Sequence, residues 1–172
     1  MPQPARTALE KALVGPAGEH YVLFRLFQRG LMASLAPPGA PNVDILVLAT
    51  DESAIASVQV KTRNYGADGG WHMNVKHETI FHDRFFYIFV DLEPEVPGTF
   101  VVPSEVVAKV LTNSYRAWLN APGKGGKSHR EHNLRRMVPS WGFEVEGFSN
   151  GWLDEYREKW ELLSAPVGDN PN

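Results

Sequence analysis

The stretch NVDILVLATDESAIASVQVKTRN, residues 42–64, decides the fold. Its first half, VDILVLA (43–49), is apolar on both faces and predicts a strand inside a sheet. TDES (50–53) is a turn. AIASVQVKT (54–62) is the return strand, with Val58 and Val60 on one face and Gln59 and Lys61 on the other. Two charges interrupt this pattern, Asp44 inside the first strand and Lys61 at the end of the second. Strand interiors disfavour Asp, and a charge near a core costs free energy unless it has a partner or a metal. In a hairpin closed at TDES, Asp44 and the Gln59–Lys61 pair lie toward the open end, on strands about 4.8 Å apart. Whether Asp44 shares the face of Gln59 and Lys61 depends on the register.

Upstream, a helix is expected from near Pro16 to Gly30, with Pro as a first-turn residue and Gly as the cap; VGPAG (14–18) leaves open whether it extends back through residues 5–13. Val22, Leu23, Leu26 and Phe27 form its apolar stripe, and Glu19 stands on that stripe at its N-terminal end. LMASLA (31–36) reads as a short strand. Downstream, RFFYIFVDL (84–92) is a strong strand, WHMNV (71–75) and TFVV (99–102) are weaker ones, and HETIFHD (77–83) is helical or irregular. A helix follows over PSEVVAKVLTNSYRAWL (103–119), then an exposed loop, then a last helix over GWLDEYREKWELL (151–163). The order of elements predicts a mixed central β-sheet flanked by helices, an α/β fold rather than a doubly wound one.

The chain has 172 residues and is expected to form one domain with its own core. Its sheet core would occupy about residues 16–110, the basic loop and C-terminal helices 111–164, and a frayed tail 165–172. There is no cysteine, which removes disulfides, thiolate metal sites and thiol nucleophiles. No apolar run reaches the roughly 20 residues that span a bilayer, so the expectation is a cytoplasmic protein without a membrane partner. Net charge is −3, but it is unevenly spread. Residues 115–137 carry six Lys or Arg against one acid, and 138–172 carry two against seven. The basic segment fits phosphate contact through Lys124, Lys127, Arg130, Arg135 and Arg136, or a solvated face paired with the acidic tail.

GKGGKS (123–128) is not a phosphate loop, because position 121 is Ala where the pattern needs Gly, and a helix rather than a strand precedes it. The six histidines lack zinc spacing, and His77 reads as a surface residue or a neighbour of the cluster. Trp71, Trp118 and Trp160 read as core residues. Taken singly, Asp44 reads as half of a structural ion pair, Lys61 as a strand-end lysine reaching water, and Glu19 as a first-turn carboxylate favoured by the helix dipole.

Together they support metal-assisted phosphodiester hydrolysis. Magnesium takes hard oxygen ligands, typically one or two carboxylates, with water and phosphate completing the octahedron. Asp44 would be the principal ligand, with the Gln59 amide oxygen and the Val60 carbonyl beside it. Glu19 would bind through water or align the nucleophile. Lys61 would orient the attacking water and stabilise charge in the transition state.

Glu19, then Asp44, then Gln59-Val60-Lys61 resembles the PD-(D/E)XK nuclease superfamily, in that superfamily's order. Asn42-Val43-Asp44 stands for its Pro-Asp, and Gln59 stands where its acid usually is, as in small bacterial members with a Q-x-K variant. The resemblance also takes in Gly18-Glu19, the run Phe86–Val90 and the run Val101–Val107. It implies a restriction-endonuclease-like sheet core, catalytic Glu19, Asp44, Gln59 and Lys61, a metal held by Asp44, Gln59, Val60 and Glu19, and Mg2+ or Mn2+ as cofactor. It implies an endonuclease acting on DNA rather than RNA, and a homodimer, the state in which many relatives cut two strands. The alternative on the same fold is a non-catalytic nucleic-acid-binding or protein-interaction domain, since an amide at position 59 weakens cation affinity.

Overall fold

The computed structural model describes residues 7–48, 55–64 and 69–164. The turn expected at 50–53, most of the loop at 66–70 and the tail from 165 lie outside them. The first helix, α1 (Ala8–Gln28), begins earlier than the expected Pro16, which lies inside it. A capping box starts it. Thr7 Oγ1 accepts from Glu10 N at 3.2 Å, and the Glu10 carboxylate accepts from Thr7 N at 2.7 Å. It ends as expected at Gly30, whose φ of 71° lets Leu31 N reach Leu26 O and Gly30 N reach Phe27 O.

Among the described residues seven strands follow in chain order. They are β1 (Met32–Leu35), β2 (Ile45–Leu48), β3 (Ile55–Arg63), β4 (Trp71–Asn74), β5 (Phe85–Asp91), β6 (Gly98–Pro103) and β7 (Leu134–Met137). Five form one mixed sheet in the order β1-β2-β3-β5-β6, in which β3 and β5 run parallel and the other neighbours antiparallel. The fold is thus the expected mixed sheet flanked by helices. The expected hairpin is present, with Ile45 opposite Val58 and Leu48 opposite Ile55. β2 lies inside the sheet, but one of its faces stays open: Ile45 and Val47 are buried, whereas Leu46 and Leu48 are each 39% exposed.

Each face of the sheet carries its own core. Val22 and Leu26 of α1 pack on Ile45, Val47, Val58, Val60, Ile88 and Val90, closed at one side by Trp160 and Leu163. The other face is aromatic, with Trp71, Phe85, Tyr87, Phe89 and Phe100 under Val107, Val110 and Leu111 of α2 (Ser104–Asn120). β4 and β7 form a separate two-stranded sheet on this side. β7 carries two arginines in four residues and was not expected from the sequence.

The last helix is not the one expected. Trp152–Tyr156 is a 3-10 turn, and only Glu161–Ser164 (α3) is α-helical. Glu158, with φ of 56°, breaks the periodicity between them. Its backbone N donates to Thr99 O at 3.0 Å, and its carboxylate accepts from Thr99 Oγ1, Arg25 and Trp160 Nε1. These tertiary bonds outweigh a local preference that amounts to tenths of a kcal/mol per residue. Trp71 and Trp160 are core residues as expected, whereas Trp118 is only partly buried.

Candidate active site

The polar cluster forms where β2 leaves β3. The ladder between them has four rungs and stops at Ile45↔Val58. Beyond that point β3 continues through Gln59–Arg63. Asp44, one residue before β2, holds the junction with both its backbone and its side chain. Its N–H donates to Val58 O at 2.8 Å, and its Oδ2 accepts the Val60 N–H at 2.7 Å. A strand residue points its N–H and C=O to the same side, so the Val60 carbonyl also faces the gap. Asp44 thus stands where the two strands part, with its carboxylate on the backbone of β3.

Glu19 comes from the α1 side. Buried Gly18 allows the approach: a Cβ there would collide with Thr62 Oγ1 and Cβ on β3. Close packing brings α1 onto β3, near enough for the Asp44 charge to act on Glu19. Burial first, and then the Asp44 charge, raise the Glu19 pKa, while His20 pulls it down. Gln59 and Lys61 come from the opposite face, as alternation predicts, in register with Tyr87 and Phe89 of β5. Lys61 is half-buried, and its pKa is lowered by desolvation, opposed by Asp44 and assisted by Lys76. Gln59 is 9% exposed, and its Oε1 is buried without a hydrogen-bond partner.

Two further residues belong to this end. His77, 3% exposed, lies in the 3-10 turn Val75–Glu78, and its Nδ1 is 2.8 Å from Tyr87 Oη. Desolvation, with Lys61 and Lys76 nearby, lowers its pKa to about 4. His77 therefore neighbours the cluster and is not a surface residue. Tyr87 was missed, because its place beside Gln59 follows only from the parallel register of β3 and β5.

The expected residues Glu19, Asp44, Gln59, Val60 and Lys61 thus gather at one end of one strand pair. Asp44, Glu19, Gln59 Oε1 and the Val60 carbonyl are hard oxygen donors of the type magnesium takes, and the unpartnered Oε1 is an acceptor such an ion would satisfy. The set holds two carboxylates; no group of three or more His, Asp or Glu gathers as a metal site among the described residues.

The basic residues divide. Lys127, Arg130 and Arg136 are exposed, and the Lys124 side chain lies outside the description. Arg135 departs from the expected phosphate contact: it is 6% exposed, ion-paired with Glu78 and stacked 3.3 Å from the centroid of Tyr115. Of the acidic tail, Glu158 pairs with Arg25 and Arg29 of α1, and Asp154 and Glu161 pair locally with Arg157 and Lys159. Among the described residues no helix is long and apolar enough to cross a membrane.

The chain has a nuclease-like α/β fold. Its backbone is similar to that of a bacterial homing endonuclease, I-Ssp6803I, with a TM-score of 0.51 over 89% of this chain and 91% of that one, at 18% identity. That likeness is one of fold. No protein-family model matches the sequence, and no curated protein does.

Proposed function

We propose that this chain is a magnesium-dependent endonuclease that hydrolyses DNA, with its centre at the open end of the β2–β3 pair and the site pattern of the PD-(D/E)XK superfamily. The observation that supports this reading is that the Asp44 charge acts on both Glu19 and Lys61, at the strand end that also holds the buried, unpartnered Gln59 Oε1. Asp44, Gln59, Glu19 and the Val60 carbonyl would hold the metal. Bound there, magnesium (or manganese) polarises the phosphodiester and neutralises its charge.

The chain's own residues do the rest. The Val60 N–H fixes one Asp44 oxygen and leaves the other for the site. Lys61, rooted in a sheet interior, presents Nζ with little freedom, which suits it to hold the attacking water and meet charge developing on the phosphate. The fold likeness to a homing endonuclease supports DNA as the substrate.

The test is cleavage of supercoiled plasmid and of a single-stranded circle in EDTA, magnesium or manganese. The wild type should nick in metal only. Lys61→Ala should lower the rate by about 10²- to 10³-fold, the loss usual for removing one charge-stabilising donor, with an unchanged circular dichroism spectrum. Full activity in that variant sinks the assignment of Lys61.

One observation favours a second reading, a nucleic-acid-binding domain without catalysis. Position 59 supplies an amide where a third carboxylate would bind a cation more strongly. Under that reading no metal condition gives cutting, and binding weakens with salt and with neutralisation of Lys124, Lys127, Arg130 and Arg136.

A further inference from the structure

The 3-10 turn Val75–Glu78 is tied down along its whole length. At its start the Asn74 side chain accepts from Lys76 N at 3.0 Å, and Val75 N donates to Asn133 O, next to β7, at 2.8 Å. At its end Lys76 O accepts from Thr79 N at 3.3 Å and from Thr79 Oγ1 at 3.1 Å, and Glu78 is ion-paired with the buried Arg135 of β7. Between these ties His77 is buried against Tyr87 of β5, with Nδ1 2.8 Å from Tyr87 Oη. Of the turn's residues Lys76 alone is exposed. A turn held this firmly presents its one exposed cation with little backbone freedom, which lowers the entropic cost of using it.

The turn lies beside the candidate active site. Tyr87, on which it docks, is in register with Gln59, and Gln59 and Lys61 share one face of β3. Lys76 is near enough for its charge to act on Lys61. Burial is the first cause that lowers the Lys61 pKa, Asp44 opposes it, and Lys76 adds to it. Two ammonium groups that feel each other in a partly desolvated setting repel. Among the described residues neither Lys61 nor Lys76 forms an ion pair, whereas Arg25, Arg63, Arg135 and Arg157 each do. Anions that reach both lysines relieve the repulsion, and a nucleic-acid strand carries one for every nucleotide.

We propose that Lys76 is a substrate-binding residue, which holds a phosphate of the cut strand next to the one that Lys61 meets. The proposal rests on the endonuclease reading above, which supplies the polymer and the place of the cut. The scissile phosphate is met by the metal and Lys61 in that reading, so a further cation finds its anion one nucleotide away. A lysine is a point charge without the fork that pairs with a base edge. Lys76 therefore holds the backbone in position and reads no sequence.

The test is fluorescence anisotropy of a labelled DNA duplex in EDTA, over about 50 to 200 mM salt, on wild type, Lys76→Ala, Lys76→Arg and Lys109→Ala. Lys109 is an exposed lysine of α2 paired with Glu105, and its loss changes the net charge by the same amount. One phosphate contact contributes about 0.9 to the slope of log affinity against log salt, about 3.5-fold over that range. Lys76→Ala should lose that much of the slope, Lys76→Arg should keep it, and Lys109→Ala should match wild type. In magnesium, Lys76→Ala should raise the DNA concentration for half-maximal cutting several-fold and leave the rate at saturation within about twofold, the pattern of a lost binding contact. A Lys76→Ala slope equal to that of wild type overturns the proposal. So does a fall in the saturated rate with binding unchanged, which makes Lys76 act on Lys61 and not on the substrate. If the wild type cuts nothing while the Lys76 slope change persists, the phosphate contact stands and the nuclease reading falls. If the wild type cuts and the Lys76→Ala and Lys109→Ala variants behave alike, the contact falls alone.

Discussion

The two edges of β3 are built from the same nine residues and end in opposite ways. Toward β5 the ladder runs unbroken over seven rungs, from Ser57↔Phe85 to Arg63↔Asp91, against a strand buried throughout. Toward β2 it stops after four rungs, and a side chain takes over: the Asp44 carboxylate accepts the N–H of Val60, two residues beyond the last rung. The closed edge is stability, an aromatic face zipped to a parallel neighbour. The open edge is where backbone groups and charges are left facing one another, and every candidate site residue stands there. A truncated ladder is therefore what opens a core strand to a candidate site.

The sharpest way to break this comparison is to separate the two tasks of Asp44. Asp44→Ala removes both the carboxylate and the acceptor for Val60 N–H. Leaving such a donor unsatisfied costs about 1–3 kcal/mol, so Tm should fall along with cleavage. Asp44→Asn keeps an acceptor oxygen and loses only the charge. It should melt within about 1 kcal/mol of wild type and still lose cleavage. Equal destabilisation in both variants means the charge, not the rung, holds the open edge together.

The histidine that bonds Tyr87 of β5 beside the cluster has its own signature in pH. His77 is held neutral on the β5 side, with a pKa of about 4 against an ordinary 6.5. Between those values the unfolded chain binds a proton that the folded chain refuses. Stability therefore rises with pH across that window and is progressively lost as pH falls through it, by up to about 3 kcal/mol. Glu19, whose folded pKa is raised, works in the opposite sense from its ordinary 4.5 upward, so the comparison must be between proteins. His77→Gln should flatten the acid limb of a urea-denaturation series between pH 4 and 6.5. An unchanged slope means His77 is not buried beside Lys61.

Next in size is the approach of α1. Gly18→Ala places a methyl on Thr62, and overpacking of this kind costs about 1–3 kcal/mol. Because the helix must retreat, Glu19 retreats with it, and cleavage should fall more than stability explains. Thr62→Ala in the same chain should return part of both. A Gly18→Ala variant as stable and active as wild type would show that close packing does not position Glu19.

How much of this was legible depended on how far each residue's partner lay along the chain. Asp44 and Lys61 announced themselves because each breaks a local strand pattern, and the hairpin joining them is short. Glu19 was visible from helical spacing alone. The parallel register that sets Gln59 beside Tyr87 was not visible, since β3 and β5 are joined through β4 and the 3-10 turn and no local signal fixes their offset. β7 escaped because LRRM has no strand pattern of its own and pairs only with β4. The start of α1 stayed open between Pro16 and the stretch before it, although Thr7-Ala8-Leu9-Glu10 carries a capping-box pattern. Pro16 competes as a start signal, and a proline inside a helix is the rarer outcome. At the C-terminus Trp152, Tyr156, Trp160 and Leu163 do have helical spacing, but Glu158 is fixed to β6 and α1 and sets the backbone instead.

The smallest expected effect bears most directly on chemistry. Gln59 puts a neutral oxygen where a third carboxylate would complete a stronger cation site, and that oxygen is buried without a partner. Gln59→Glu adds a charge beside Asp44 and Glu19. Without metal the three carboxylates repel one another in a desolvated setting, so the free protein should melt lower. With metal the same charge is compensated, and the half-saturating magnesium or manganese concentration should fall about tenfold, a gain of about 1.4 kcal/mol. Gln59→Leu removes the donor and should raise that concentration while leaving the free protein as stable or more so, since an unsatisfied polar atom is replaced by an apolar one. Opposite shifts of metal affinity and metal-free stability in these two variants are what an oxygen ligand at position 59 requires. A glutamine that merely fills the core would move stability in both and metal affinity in neither.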